Sequence, residues 1–83
     1  MLMPTSTYLY FQVARSAKAK TYHVYVYSKN SEILLGTVKW FGRWRQYAFF
    51  PEQETVFNTN CLEDIRKCIA ALRSDRLAER DLT

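Results

Sequence analysis

One histidine, two cysteines and eight acidic residues are the first candidates this 83-residue chain offers for acid–base, nucleophilic or metal chemistry. Their spacing assembles no site. His23 lies between Tyr22 and Val24 in a segment that alternates like a strand. A Cys–His nucleophile would need it beside Cys61 or Cys68, and the face assignment below turns it away from both. Zinc would need further ligands at recognisable spacing. Cys61 and Cys68 fall on one expected helix, ~10 Å apart along its axis at ~1.5 Å rise per residue. That exceeds the reach of a disulfide, so they read as reduced packing thiols of a cytoplasmic protein. Gly36 and Gly42 are the two glycines, too few for a phosphate-cradling loop. Glu52 and Glu54 fall in a turn, and Glu63 and Asp64 at a helix start, where negative charge suits the helix N-terminus. No catalytic carboxylate pair stands out. We therefore expect no enzyme, no cofactor and no metal.

What the chain holds in quantity is aromatic and cationic. Aromatic residues make up 16% of it, as six Tyr, five Phe and two Trp. Residues 1–51 carry seven Lys and Arg against one acid, Glu32, a balance of +6. Residues 52–83 carry five basic and seven acidic groups, a balance of −2. Positive charge on the first part alone favours an anionic partner for that part.

The elements follow from the pattern. Residues 7–15, 21–29, 33–41 and 45–50 are rich in β-branched and aromatic residues, which predicts four strands. Residues 16–20, 30–32 and 42–44 separate them, and Pro51 ends the last because it cannot donate to a ladder. Residues 55–57 are a candidate edge piece. Asn60 with Glu63 three residues on has capping-box spacing. Leu62, Ile65, Ile69 and Leu72 then form a helical apolar stripe, with Glu63 and Lys67 as an i,i+4 pair. The expected fold is α+β: a four-stranded antiparallel meander sheet with one C-terminal helix on one face. The whole chain is one domain, with its core in residues 7–74. Residues 75–83 continue the helix or fray, with Leu77 and Leu82 as anchors. Residues 1–5 lack the basic region and apolar run of a signal peptide, and no stretch approaches the ~20 apolar residues of a membrane span.

Pairing register then sorts side chains onto faces. Placing Lys29 opposite Ile33 sets Val26 opposite Gly36, Val24 opposite Val38 and Tyr22 opposite Trp40. Placing Trp40 opposite Gln46 sets Val38 opposite Ala48 and Gly36 opposite Phe50. Val24, Val26, Val38, Ala48 and Phe50, joined by Leu9, Phe11 and Val13, make the face for the helix, with Gly36 and Ala48 leaving it room. The other face carries His23, Tyr25, Tyr27, Lys39, Phe41, Arg45, Tyr47 and Phe49, extended by Tyr8 and Tyr10.

The densest segment is Leu35-Gly36-Thr37-Val38-Lys39-Trp40-Phe41-Gly42-Arg43-Trp44-Arg45-Gln46-Tyr47-Ala48-Phe49-Phe50-Pro51, followed by Thr55, Phe57, Cys61, Leu62, Asp64 and Ile65. It resembles a family of small proteins of bacteriophages and other bacterial mobile elements. Their pattern runs L-G-x-[IV]-K-W-[YF]-x-x-W-R-Q-Y-x-F-F-P and then T-x-F-x-x-x-C-L-x-D-I. The likeness covers about residues 21–72. It departs at Gly42-Arg43, where the family often has Pro before the second Trp, and at Ala48, often Cys. The resemblance implies a phage or mobile-element origin and assigns no catalytic or binding residue. Trp40 and Trp44 read structurally as corner anchors, with Arg45 able to stack on one of them.

Rings that stack on bases and cations that meet phosphates are what single-stranded nucleic acid requires. The expectation is a binding module contacting nucleic acid. Lys39, Arg43 and Arg45 are its phosphate contacts, and Tyr25, Tyr27, Phe41 and Tyr47 its stacking platforms. The alternative is a protein-interaction module, an inhibitor or modulator of a host protein, using the same face or an edge strand. A homodimer through that face is a further alternative. Cross-strand aromatic pairs also stabilise sheets without binding anything.

Overall fold

The structure is a computed structural model that describes residues 3–15 and 21–81, with side chains described through Asp75. The loop expected at residues 16–20 and the anchors Leu77 and Leu82 lie outside the described residues or side chains. Four strands, β1 (Leu9–Ala14), β2 (His23–Ser28), β3 (Leu34–Phe41) and β4 (Gln46–Pro51), precede one helix, α1 (Thr59–Asp81). They form one antiparallel sheet in the order β1-β2-β3-β4. This is the expected meander with a C-terminal helix. Residues 55–58 form no strand: Val56 is exposed, and Phe57 instead packs edge-on against Phe49, centroids 5.3 Å apart.

The helix starts two residues earlier than the capping-box spacing suggests. The Asn58 side-chain oxygen accepts the Cys61 backbone N–H at 2.8 Å, so Asn58 is the cap. The buried stripe is accordingly Cys61, Ile65, Cys68 and Leu72, while Leu62 stands 52% exposed. Both thiols are free and face the sheet. Glu63 is held by Arg66, three residues on, through a bidentate contact of 2.7–3.2 Å, rather than by Lys67. That hydrogen bond, with the charges of Arg66 and Lys67, lowers the Glu63 carboxyl below its ordinary range.

The core joins Leu9 of β1, Val24 and Val26 of β2, Val38 of β3 and Tyr47 of β4 to this stripe. Fully burying an aliphatic side chain of this kind is worth about 1.5–3 kcal/mol. Met3 packs onto it from outside the sheet, where its sulfur accepts a weak hydrogen bond from Cys68 at 3.6 Å. Burial pushes the Cys68 thiol up from an ordinary 9.0 to about 12. The folded state therefore holds this proton where the unfolded chain has released it. The associated stability is whole below pH 9 and declines as pH rises from 9 towards 12. A thiol reagent at pH 8 should label Cys68 only as fast as the chain unfolds. Immediate labelling of both thiols in the native protein would contradict this packing.

The β2–β3 and β3–β4 hairpins share one device. Each has a four-residue loop ending in a non-glycine residue with left-handed backbone, Glu32 (φ 58°) and Arg45 (φ 54°). In the first, Ser28 donates to the Ile33 carbonyl and its own carbonyl accepts from Glu32. Tyr27 pairs with Leu34, and then a bulge inserts Leu35. The bulge restores Val26 opposite Gly36 and Val24 opposite Val38, as expected.

The second hairpin has no bulge, and its register corrects the expectation. Phe41, not Trp40, is opposite Gln46, so Trp40 faces Tyr47, Lys39 faces Ala48 and Thr37 faces Phe50. A shift of one residue turns the whole strand over. Tyr47 and Phe49 lie on the helix side, and Ala48 and Phe50 on the other. Gly36 makes room for the Phe49 ring rather than for the helix: a Cβ there would sit 2.5 Å from that ring and 2.7 Å from the Phe50 carbonyl oxygen.

Candidate nucleic-acid interface

With α1 and Met3 on one side of the sheet, no described element packs over the other. Strand alternation places Tyr10 and Gln12 of β1, His23, Tyr25 and Tyr27 of β2, Thr37, Lys39 and Phe41 of β3, and Ala48 and Phe50 of β4 on this open face. Its rings fall into two groups. Tyr10 and Tyr27 are cross-strand partners, with centroids 6.3 Å apart. At the β3–β4 side, Phe50, Phe41 and Trp44 form a chain of edge-to-face contacts at 5.9 and 4.7 Å. Lys39 lies over the Phe50 ring, its ammonium 4.6 Å from the centroid. Such a contact is worth about 0.5–1 kcal/mol where water is present. It holds a cation on the aromatic surface.

Arg43, Trp44 and Arg45 sit in the loop closing β3 and β4, all three exposed, with the Trp44 side chain 63% accessible. Trp44 donates its backbone N–H to Phe41 and Arg45 donates to Gly42, so the turn is closed by two backbone hydrogen bonds of 3.2 Å. The tip thus presents a large ring between two guanidinium groups, continuous with Phe41 on the face behind it.

Of the seven residues predicted from sequence, Tyr25, Tyr27, Lys39 and Phe41 lie on the open face, and Arg43 and Arg45 at its tip. Tyr47 does not. It is buried on the helix side, where its hydroxyl accepts the Tyr22 backbone N–H at 3.2 Å and its ring meets Trp40 edge-on at 5.4 Å. It pins the start of β2 to β4 and is removed from the set. Phe50, assigned from sequence to the core, takes its place. Trp44 was read as a corner anchor, but it is the most exposed aromatic of the face. A count of loop residues would have found both: a four-residue connection makes Phe41 and Gln46 partners.

Left-handed backbone costs a non-glycine residue roughly 1–2 kcal/mol, and Arg45 bears that cost at an exposed position. Arg45→Gly should remove it, less about 1 kcal/mol for the freer unfolded chain. The variant should melt up to a few degrees higher; where Arg45 meets a phosphate of a bound single strand, the salt slope should also become shallower by about 0.7. Equal affinity and slope would take Arg45 out of the interface.

Among the described residues, no cluster of three or more His, Cys, Asp or Glu is placed to hold a metal ion, and no helix is long and apolar enough to cross a membrane. No family model matches the chain, and no solved structure matches it. It is 32% identical over 76 residues to an uncharacterised 9.3 kDa protein of Acholeplasma phage L2, across 92% of this chain and 97% of that protein. With both lengths spanned almost end to end, the chain belongs to the family of this small phage protein.

Proposed function

We propose that this protein is a small, non-enzymatic module that binds single-stranded nucleic acid across the open sheet face. The observation that carries the reading is the Lys39 ammonium seated on the Phe50 ring, on a face that no described element covers. There a cation that can meet a phosphate sits directly over an aromatic ring, with the Phe41 and Trp44 rings next in line for stacking. Lys39, Arg43 and Arg45 contact phosphates. Tyr25, Tyr27, Phe41, Phe50 and Trp44 supply stacking surfaces, each worth roughly 1–3 kcal/mol per base. A duplex keeps its bases stacked inside, so the rings select unpaired strands.

Anisotropy titrations of short labelled single- and double-stranded oligonucleotides test this. The expected result is preference for the single strand at low salt, weakening steadily as salt rises. Absence of binding at low salt, or affinity indifferent to salt, would overturn it. A stoichiometric host protein that stays bound after nuclease treatment, with no oligonucleotide affinity, would assign the face to a protein partner instead.

A further inference from the structure

We infer that the hollow beside Tyr10 and Tyr27 is a subsite for one unpaired nucleobase, an inference that rests on reading the open face as a nucleic-acid surface. The hollow has a volume of about 420 Å³ and is lined by Tyr10, Gln12, Tyr27, Ser28, Lys29 and Glu32. That is within the ~300–1,000 Å³ of small-molecule sites.

Its lining fits a base better than a phosphate. The Tyr10 and Tyr27 planes are inclined by 44°, so neither ring lies flat on the other and a third planar group can stack. Gln12 follows Tyr10 on the same face of β1. Its amide offers a donor and an acceptor side by side, as reading a base edge requires. Gln12 is exposed, and its side-chain amide makes no hydrogen bond among the described residues. Lys29 donates to the Ser6 carbonyl at the rim, and Glu32 sets a negative charge near it. This end is therefore close to neutral, unlike the tip with Arg43 and Arg45.

The hollow and the tip lie at opposite ends of one face. The eight residues of β3 separate them, about 25 Å at ~3.3 Å per residue. A strand with phosphates along Lys39 and the tip reaches the hollow if it is at least about four nucleotides long.

The test compares wild type with Tyr10→Ala, Gln12→Ala and Lys39→Gln, using the four homopolymeric single-stranded octamers and an abasic octamer. Tyr10 is 55% exposed, so its removal leaves the core intact. Tyr10→Ala should weaken base-bearing strands by about fivefold to hundredfold, the range of one lost stack, and leave the abasic strand unchanged. Gln12→Ala should narrow the spread among the four bases. Lys39→Gln should weaken all five strands alike. If the Tyr10 and Gln12 variants bind every strand as wild type does while Lys39→Gln still weakens them, the subsite is overturned and the module stands. If wild type binds no strand, the module reading fails, and adenosine monophosphate then probes the hollow alone. A shift of the Gln12 side-chain amide resonances would sustain the hollow as a base site, and none would overturn it.

Discussion

Gly36→Ala should destabilise the protein by about 2–3 kcal/mol, the upper range for overpacking a core. The added methyl would stand 2.5 Å from the end of the Phe49 ring and 2.7 Å from the Phe50 carbonyl oxygen. The ring has little freedom to withdraw, because Phe57 meets it edge-on at 5.3 Å. The carbonyl belongs to the β3–β4 ladder and cannot withdraw without opening it. Alanine's lower unfolded-state entropy favours the variant by up to about 1 kcal/mol, less than the clash costs. Small domains hold only about 5–15 kcal/mol in total, so the urea midpoint should fall clearly with an unchanged slope. Adding Phe49→Leu should recover only part of the loss, since the carbonyl contact persists. An unshifted midpoint for Gly36→Ala would mean that Phe49 does not lie over Gly36, and with it the register of β4 would fall.

Removing the three cations together should have the largest effect on binding. Neutralising three phosphates of a single strand gives a log–log salt slope of about −2, at about 0.7 per phosphate. Raising salt from 50 to 200 mM then weakens binding about 20-fold. In the triple variant Lys39→Gln, Arg43→Gln, Arg45→Gln that slope should flatten towards zero, and affinity at 50 mM salt should drop on the order of 100-fold. Its melting temperature should change little. Arg43 and Arg45 are exposed, and the Lys39 contact with Phe50 is worth at most about 1 kcal/mol. A triple variant that keeps both slope and affinity would show that the charges of this face do not meet the strand.

Local pattern carried most of the fold. The alternation of β2 names its buried residues, Val24 and Val26, directly, whereas of the expected helix stripe Ile65 and Leu72 are buried and Leu62 is exposed, its place taken by Cys61 and Cys68. Register was legible only in part, because it depends on where the chain turns left-handed. Gly42 is the residue that sequence offers for that conformation, yet its φ is not positive, and Arg45 adopts it instead. The loop is consequently one residue shorter than a Trp40–Gln46 pairing requires. At the other hairpin a four-residue loop closes on Ser28 and Ile33, not on the expected Lys29 and Ile33, and the inserted Leu35 then returns Val26 and Val24 to their expected partners. A bulge leaves no mark in the residue types, so the first hairpin keeps its expected core pairs although its closing pair differs, and the second is inverted. The cap shows the same limit: Asn60 has the capping-box spacing to Glu63, yet the hydrogen bond from the Cys61 backbone N–H makes Asn58 the cap. For the candidate interface, the placement of Lys39 on the open face follows from strand alternation, and that of Arg43 and Arg45 from the polar hairpin loop. The rings were divided wrongly wherever the β4 register decided their side.

The open face, not the helix, is proposed to meet the ligand. Amide chemical-shift mapping of the protein, titrated with a short single-stranded oligonucleotide at low salt, tests it most directly. Shifts are expected to concentrate at Tyr25, Thr37, Lys39, Phe41, Trp44 and Phe50, with Ile65, Cys68 and Leu72 unmoved. Shifts concentrated on α1, or none at saturating oligonucleotide, would contradict it.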